Sequence, residues 1–352
     1  MAAIVIEVPG IYPFERLMSL DVTPPCHAVE GLVNEGQNAI FAGYFGVGKT
    51  MFAGQLSISL ATGRPFLGRE VRRRYSVVFF DFETGPGAIK ERLAKQVEAM
   101  HLTEEEYAAL AENWTYVNTL DEKSPFYGWQ MNDEGLARLA EFLNELKAEV
   151  LIIDNLGWFV KGELNDPEDV KSFYGVLRDL RTECPSLEDG VILLLHHLVK
   201  PNGDKTKRCS LLTAPREYLS LARGSQRLLD FAECRLALAE ELSGDQTVHI
   251  VNGVNRTGCV DPLTIQLLPE TLSFDLHEDN QLRYTLAFAG KARQKQVFES
   301  LPEEFTWSDG LRTSVEGKAV SKDTLSGALR TAKVNRFVVQ DPATKKYRKV
   351  PQ

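Results

Sequence analysis

The chain predicts an α/β fold with a mainly parallel central sheet and a small basic domain at the C-terminal end. Three observations carry this. Apolar runs of strand length alternate with helical segments as far as about residue 232, the pattern of a parallel sheet covered by helices. The first run leads directly into a glycine-rich loop and then a helix. From Lys291 onward the balance of charge changes sign.

The elements follow in order. Residues 1–36 are an N-terminal segment, and 37–289 a core. Within the core, 38–42 reads as a short buried strand. After the loop 43–50 a helical stretch runs to about Ala61 and stops at Gly63, a residue suited to the left-handed cap. Residues 76–82 form a second β-branched and aromatic run, and 85–100 is helical. The runs 150–153 and 191–196 are two further strands. The helix between them takes Asp166 as its N-cap and Pro167 as its first residue. Beyond residue 232, short runs at 233–239, 247–252, 263–267, 271–275 and 282–288 are expected to extend the same sheet in antiparallel fashion. Residues 290–352 read as three short helices (291–301, 306–315, 321–332) and a basic hairpin turning at 341–344. Ser321 caps the third helix, whose apolar positions Leu325, Ala328 and Leu329 have helical spacing.

Composition narrows the classes. The chain has 352 residues, 43% hydrophobic and 25% charged, which excludes disordered, collagen-like and coiled-coil chains. Apolar runs such as 191–195 are far too short to span a bilayer, and residues 1–8 lack the basic start and small-residue cleavage site of a secretory signal. Five scattered cysteines without paired spacing suit a reducing cytoplasm, and neither a disulfide framework nor a zinc site. Net charge is −9, but residues 291–352 carry 13 Lys and Arg against 7 Asp and Glu, a net of +6 on an acidic body. A basic appendage of this kind is suited to phosphate, and equally to being a solvated tail.

The loop 43–50, Gly-Tyr-Phe-Gly-Val-Gly-Lys-Thr, satisfies G-x-x-x-x-G-K-[ST]. Glycines let backbone N–H groups turn toward phosphate oxygens, and the following helix start adds positive potential. Lys49 reaches the terminal phosphates and Thr50 ligates Mg²⁺. Gly43, Gly46, Val47, Gly48, Lys49, Thr50 and Met51 are thus expected to line a nucleotide, with ATP and Mg²⁺ as cofactors. Asp154 ends an apolar strand, where it would hold the metal. Asp81 and Glu83 share one side of the second strand. Glu83 lies nearer the carboxyl end and is the candidate to polarise the attacking water, or else an acid capping the next helix. His196 and His197 end a third strand aimed at the same edge.

Taken together these residues resemble the RecA-like P-loop ATPases, in the branch of the plasmid hexameric replicative helicase RepA and, more distantly, the DnaB-type helicases. The resemblance covers about 25–260. It rests on 43–50, Phe82-Glu83, Asp154-Asn155, His196-His197 with Lys200, Ala222-Arg223-Gly224-Ser225, and the run 247–252 leading to Asn255-Arg256-Thr257-Gly258. It implies that Glu83 is the catalytic carboxylate and His197 the phosphate sensor. It implies that Arg223 is an arginine finger reaching a neighbouring subunit. It also implies a loop from Lys200 to Ala222, with Lys205, Lys207 and Arg208, facing single-stranded DNA in a ring's channel. The C-terminal order resembles a winged helix–turn–helix domain. Lys322, Thr324, Arg330 and Lys333 would lie on or near its recognition helix, and Lys345, Lys346, Arg348 and Lys349 on its wing. Duplex DNA or a protein such as a replication initiator would be its partner.

Overall fold

A computed structural model describes residues 12–20, 26–129, 131–160, 162–199, 209–212, 214–224, 226–243, 246–256, 258–260, 262–277, 284, 288, 291–334, 337–342 and 344–350. In chain order the first elements are α1 (Phe14–Met18), the hairpin β1 (His27–Val29) and β2 (Val33–Asn34), β3 (Asn38–Gly43), α2 (Lys49–Thr62), β4 (Val77–Asp81), α3 (Pro86–Met100), α4 (Glu104–Asn113) and β5 (Trp114–Asn118). Then come α5 (Asp133–Glu145), β6 (Val150–Asp154), α6 (Leu156–Phe159), α7 (Pro167–Glu183), β7 (Val191–His197), α8 (Pro215–Leu219) and α9 (Gln226–Phe231). The core closes with β8 (Cys234–Ser243), β9 (Gln246–Asn255), β10 (Gly258–Cys259), β11 (Leu263–Leu268) and β12 (Ser273–Leu276).

One sheet organises the core, in the order β12-β11-β9-β8-β3-β7-β6-β4-β5, with β10 beside β9. From β8 to β5 every pairing is parallel. These strands are buried on both faces, which is why β4, β6 and β7 read as unbroken apolar runs rather than alternating ones. Helices α5, α6, α7 and α9 pack on one face through Leu139, Phe159, Phe173 and Leu228. α2 and β1–β2 pack on the other through Phe52, Leu56 and Val29, with Leu110 at the end of α4 against them. α2 carries no charge between Lys49 and Arg64, and it is buried almost all round. It ends at Gly63, φ 75°, as the sequence indicates.

Two expectations for the core change, and one stretch gains elements the sequence left unassigned. β8 is expected to be antiparallel, but it pairs parallel to β3; the antiparallel pairings are those of β9 with β8, β10 and β11 and of β11 with β12. The chain leaves β7 at the carboxyl edge and returns through α8 and α9, so it re-enters at the opposite edge, where the Glu233 N–H donates to the Asn38 carbonyl. Of the strand expected at 282–288, Tyr284 is helical and Phe288 lies in a turn; its other residues lie outside the described ones. Finally, α4, β5 and α5 fill a stretch for which the sequence reading assigned nothing. α4 starts with a capping box, Thr103 accepting from the Glu106 N–H and Glu106 from the Thr103 N–H.

Strand β12 lies under α2. The Gln55 side chain donates to the Phe274 carbonyl (2.9 Å) and accepts from the Phe274 N–H (2.7 Å). The Phe274 ring lies against Gly48, where an added Cβ would meet it at 2.9 Å.

The C-terminal segment contains α10 (Ala292–Ser300), β13 (Glu304–Phe305), α11 (Trp307–Arg312), β14 (Ser314–Val315), β15 (Lys318–Ala319), α12 (Lys322–Val334), β16 (Val338–Gln340) and β17 (Tyr347–Lys349). The helix expected over 306–315 stops at Arg312, and Val315 instead pairs with Lys318. β13, β17 and β16 make a three-stranded antiparallel sheet. The Ser321 hydroxyl accepts from the Thr324 N–H, and Leu325, Ala328 and Leu329 are buried, as their spacing predicts. This segment has its own apolar cluster, which also takes in Tyr284 and Phe288. Tyr284 meets Phe298 and Phe337, and Phe288 stacks on Phe298.

Candidate active site

Strand β3 delivers Gly43, and the chain then turns through two left-handed glycines, Gly46 (φ 81°) and Gly48 (φ 97°), before α2 begins at Lys49. At Gly43 space as well as conformation excludes a side chain, since a Cβ would come within 2.9 Å of Val47 and 3.0 Å of the Leu238 carbonyl. The loop therefore presents backbone N–H groups and the start of a fourteen-residue helix. Lys49 donates to the Gly43 and Tyr44 carbonyls, both at 3.0 Å, and lies 3.3 Å from His197 Nδ1. Burial lowers its ammonium to about 8, against the pull of Asp154 and Glu83, while Arg223 pushes in the same direction as burial. Val47 is buried and Met51 half-buried in α2, behind the loop.

The neighbouring parallel strands end at the same edge. Thr50 Oγ1 donates to Asp154 Oδ2 at 2.6 Å. Burial raises the Asp154 carboxyl to about 6, with Asp81 and Glu83 adding to the rise and the Thr50 bond opposing it. Two oxygen donors of this kind suit Mg²⁺, a hard ion that takes one or two protein oxygens beside those of phosphates. Among the described residues no cluster of three or more His, Cys, Asp or Glu offers a metal an alternative.

Asp81 and Glu83 separate clearly. Asp81 is fully buried. It accepts from the N–H groups of Glu83, Thr84 and Gly85 and from the Tyr116 hydroxyl, so it shapes the loop rather than facing the phosphates. Glu83 faces outward. Asn155 Nδ2 donates to Glu83 Oε1 and lies 3.2 Å from His197 Nε2, which is itself 3.7 Å from Glu83 Oε1. Hydrogen bonding from His197 lowers the Glu83 carboxyl most, with Asn155 and Trp158 adding to it against burial. Asn155 also caps α6 by accepting from the Gly157 N–H, so the strand end that supplies Asp154 also fixes Glu83.

The two histidines differ in kind. His196 is buried, with Nε2 2.6 Å from the Arg223 carbonyl, and burial lowers its imidazole to about 4. The Arg223 N–H donates to the His197 carbonyl at 3.0 Å. Arg223 is thereby pinned beside the end of β7, close enough for its charge to be felt at Lys49 of the same chain.

Asn155 belongs to the Asp154-Asn155 motif of the resemblance but has no role assigned from the sequence, and Trp158, Tyr116 and Phe45 are not singled out there. Phe45 and Trp158 are 82% and 67% exposed beside the site. Their bulk in a small-residue loop and after a strand-end acid is the signal that marks them. Arg256 is at the opposite edge, bonded to the Asp230 carbonyl and paired with Glu233. Lys200, Lys205, Lys207 and Arg208 lie outside the described residues. Lys322, Arg330, Lys345, Lys346 and Arg348 are exposed. Lys349 was expected on the wing, but it turns inward. Its ammonium donates to the Glu299 and Leu301 carbonyls and lies over the Phe298 ring, because β17 runs alongside the end of α10.

A phosphate loop between a parallel strand and a buried helix, with an aspartate at the hydroxyl of its Thr, defines a P-loop ATPase site. A family model described as an AAA domain matches residues 12–203, more than half of the chain. The chain belongs to that family, and its core is a P-loop α/β domain built on one mainly parallel sheet. Among solved structures, a KaiC-like protein from Pyrococcus horikoshii OT3 is similar at a TM-score of 0.45 and 16% identity, over 71% of this chain and 94% of that one. No curated protein matches the chain.

Proposed function

We propose that the protein is a Mg²⁺-dependent, ATP-hydrolysing motor that assembles as a ring and acts on DNA as a helicase of a plasmid, phage or other mobile element. The observation that carries the chemistry is the convergence of Lys49, Thr50–Asp154 and Glu83–Asn155–His197 at one sheet edge. Lys49 exchanges its carbonyl partners for phosphate oxygens. Thr50 and Asp154 hold Mg²⁺, which offsets phosphate charge when bound. Glu83 orients the attacking water. His197 stands between Lys49 and Glu83, so a change at the phosphate reaches the carboxylate through one ring.

Arg223 supplies further positive charge. In a ring it would serve the neighbouring copy's site, whereas its nearness to Lys49 supports service in its own.

Support for DNA comes from the C-terminal segment. Its order of three helices and a hairpin resembles a winged helix, and Lys322, Ser326, Arg330 and Lys333 form an exposed stripe along α12. Tyr284 and Phe288, which the sequence assigns to the core, pack with the C-terminal apolar cluster.

The deciding experiment measures ATPase rate with and without single-stranded DNA, beside strand displacement. Stimulated hydrolysis with unwinding supports the motor. ATP-dependent duplex binding without unwinding selects an ATP-controlled DNA-binding regulator or adaptor, the second reading; a recombination or repair ATPase is the third.

A further inference from the structure

The C-terminal domain holds a cleft of about 390 Å³ lined by Trp307, Ser326, Leu329, Arg330, Lys333 and Tyr347. We infer that this cleft takes an unpaired nucleotide, its base stacked on Trp307 and its phosphate held by Arg330 and Lys333. The C-terminal domain would then read single-stranded DNA or a duplex–single-strand junction as well as a duplex. The inference rests on the reading that this domain binds DNA.

Four observations carry it. Trp307 is the first residue of α11, and its start is fixed by a capping box: the Thr306 N–H donates to Asp309 Oδ2 (2.8 Å), and the Asp309 N–H to Thr306 Oγ1 (3.2 Å). The indole is 37% exposed, so a large ring is held ready at a wet surface. Every base has a π-face, and such a ring binds it whatever its identity.

Second, the cations stand beside the ring. Arg330 and Lys333 are exposed residues of α12, and both line the same cleft. Lys333 is positioned by a bond to Gln340 Oε1 (2.8 Å) and lies 4.8 Å from the Tyr347 ring centre. Third, Arg330 makes the surroundings more positive, since it helps lower the Lys291 ammonium, though burial is the larger cause. An anion there would relieve that repulsion. Fourth, the cleft lies between the exposed stripe of α12 and strand β17, the two elements that a duplex would span. A paired base is stacked within its duplex and cannot also stack on Trp307. Only an unpaired or extruded one can.

The test uses the full-length chain without nucleotide and reads fluorescence anisotropy with labelled oligo-dT, a blunt duplex and a forked duplex. Trp307→Ala is expected to weaken oligo-dT and fork binding by roughly 5- to 150-fold, the span of one lost stack, and to leave the blunt duplex within about twofold. Trp307→Phe keeps a ring and is expected to restore most of the loss, which separates stacking from misfolding. Oligonucleotides carrying 5-iodouracil are expected to crosslink to the peptide containing Trp307.

Equal losses for all three probes, or absence of the crosslink, overturn the cleft as a base site. If Arg330→Gln weakens the blunt duplex while Trp307→Ala changes nothing, the domain binds DNA but the inference fails. If removing residues 278–352 alters the binding of no probe, the underlying DNA reading fails instead.

Discussion

His196 Nε2 lies 2.6 Å from the carbonyl oxygen of Arg223, a residue 27 positions further along the chain. Together with the Arg223 N–H on the His197 carbonyl, this holds both sides of one arginine against the end of β7. The edge that carries the phosphate loop thus includes a residue from beyond the 200–222 loop as firmly as those of the strand itself. The contact also fixes a tautomer, since a carbonyl only accepts and His196 must carry its proton on Nε2.

Arg223→Ala should therefore bind ATP normally and hydrolyse it slowly, with a loss of up to about 10³–10⁵-fold if the guanidinium meets transition-state charge. Mixing decides whose site it serves. When Arg223→Ala and Lys49→Ala chains are combined, recovery of ATPase activity assigns Arg223 to a neighbouring copy. No recovery in demonstrated mixed oligomers assigns it to its own chain.

Lys49→Ala should abolish hydrolysis and weaken nucleotide binding, read by single-turnover kinetics and by nucleotide titration. Glu83→Gln should keep binding and lose turnover by about 10²–10⁴-fold. Asp81→Ala tests the loop behind it: Glu83, Thr84, Gly85 and Tyr116 lose one shared acceptor. The expectation is a fall in kcat with nucleotide affinity retained. A fall in affinity of the same size would instead place Asp81 in the nucleotide contacts.

The two buried histidines should withdraw stability as pH falls from about 6.5 to about 4, against a smaller opposing gain from Asp154, whose carboxyl burial raises to about 6. Burial lowers the imidazoles of both His196 and His249 to about 4. Between those values the unfolded chain binds protons that the folded chain refuses, so each histidine contributes stability above pH 6.5 that is lost through this window, up to about 3 kcal/mol apiece. Urea melts at pH 7 and pH 5 measure the slope. His196→Gln and His249→Gln should each flatten it, and an unchanged slope in both variants would exclude these groups as its source.

Truncation should be sensitive to position. A chain ending at residue 277 should stay soluble and keep ATP binding, because the site lies wholly upstream. One ending at 289 retains Tyr284 and Phe288 without Phe298 and Phe337, their ring partners. It is expected to aggregate more, as measured by light scattering on heating. Equal scattering from the two would show that the aromatic pair does not need the C-terminal cluster.

Much of this molecule was legible because its parallel strands are buried on both faces. Continuous apolar runs ending in Gly43, Asp154 and His197 give strand, edge and site at once. What escaped depends on chain return and on distant partners. The direction of β8 is set by where α9 delivers the chain, which the composition of 233–239 does not record. β5, an edge strand, is only half-buried along most of its length, so its pattern is weak. Lys349 looks like any wing cation until two carbonyls from α10 and the turn after it come within reach. Strand alternation puts Asp81 and Glu83 on one side in the sequence, but β4 ends at Asp81 and Glu83 lies in the turn after it, which is why one carboxylate folds inward and the other faces out.

The clasp of Gln55 on Phe274 bears on how copies of this chain can add to one another. An amide that occupies both the N–H and the C=O of Phe274 leaves β12 no free rung there to offer an incoming strand, while β5 at the other border pairs only with β4 among the described residues. Among the described residues the sheet thus has one border strand clasped at Phe274 and one border strand, β5, with a single strand partner. Continuous growth by strand addition needs two unlike margins that fit each other, whereas the β5 border alone can meet only its own kind. Copies joined in that way would stop at pairs, so any larger ring must be built from side-chain surfaces rather than by lengthening the sheet.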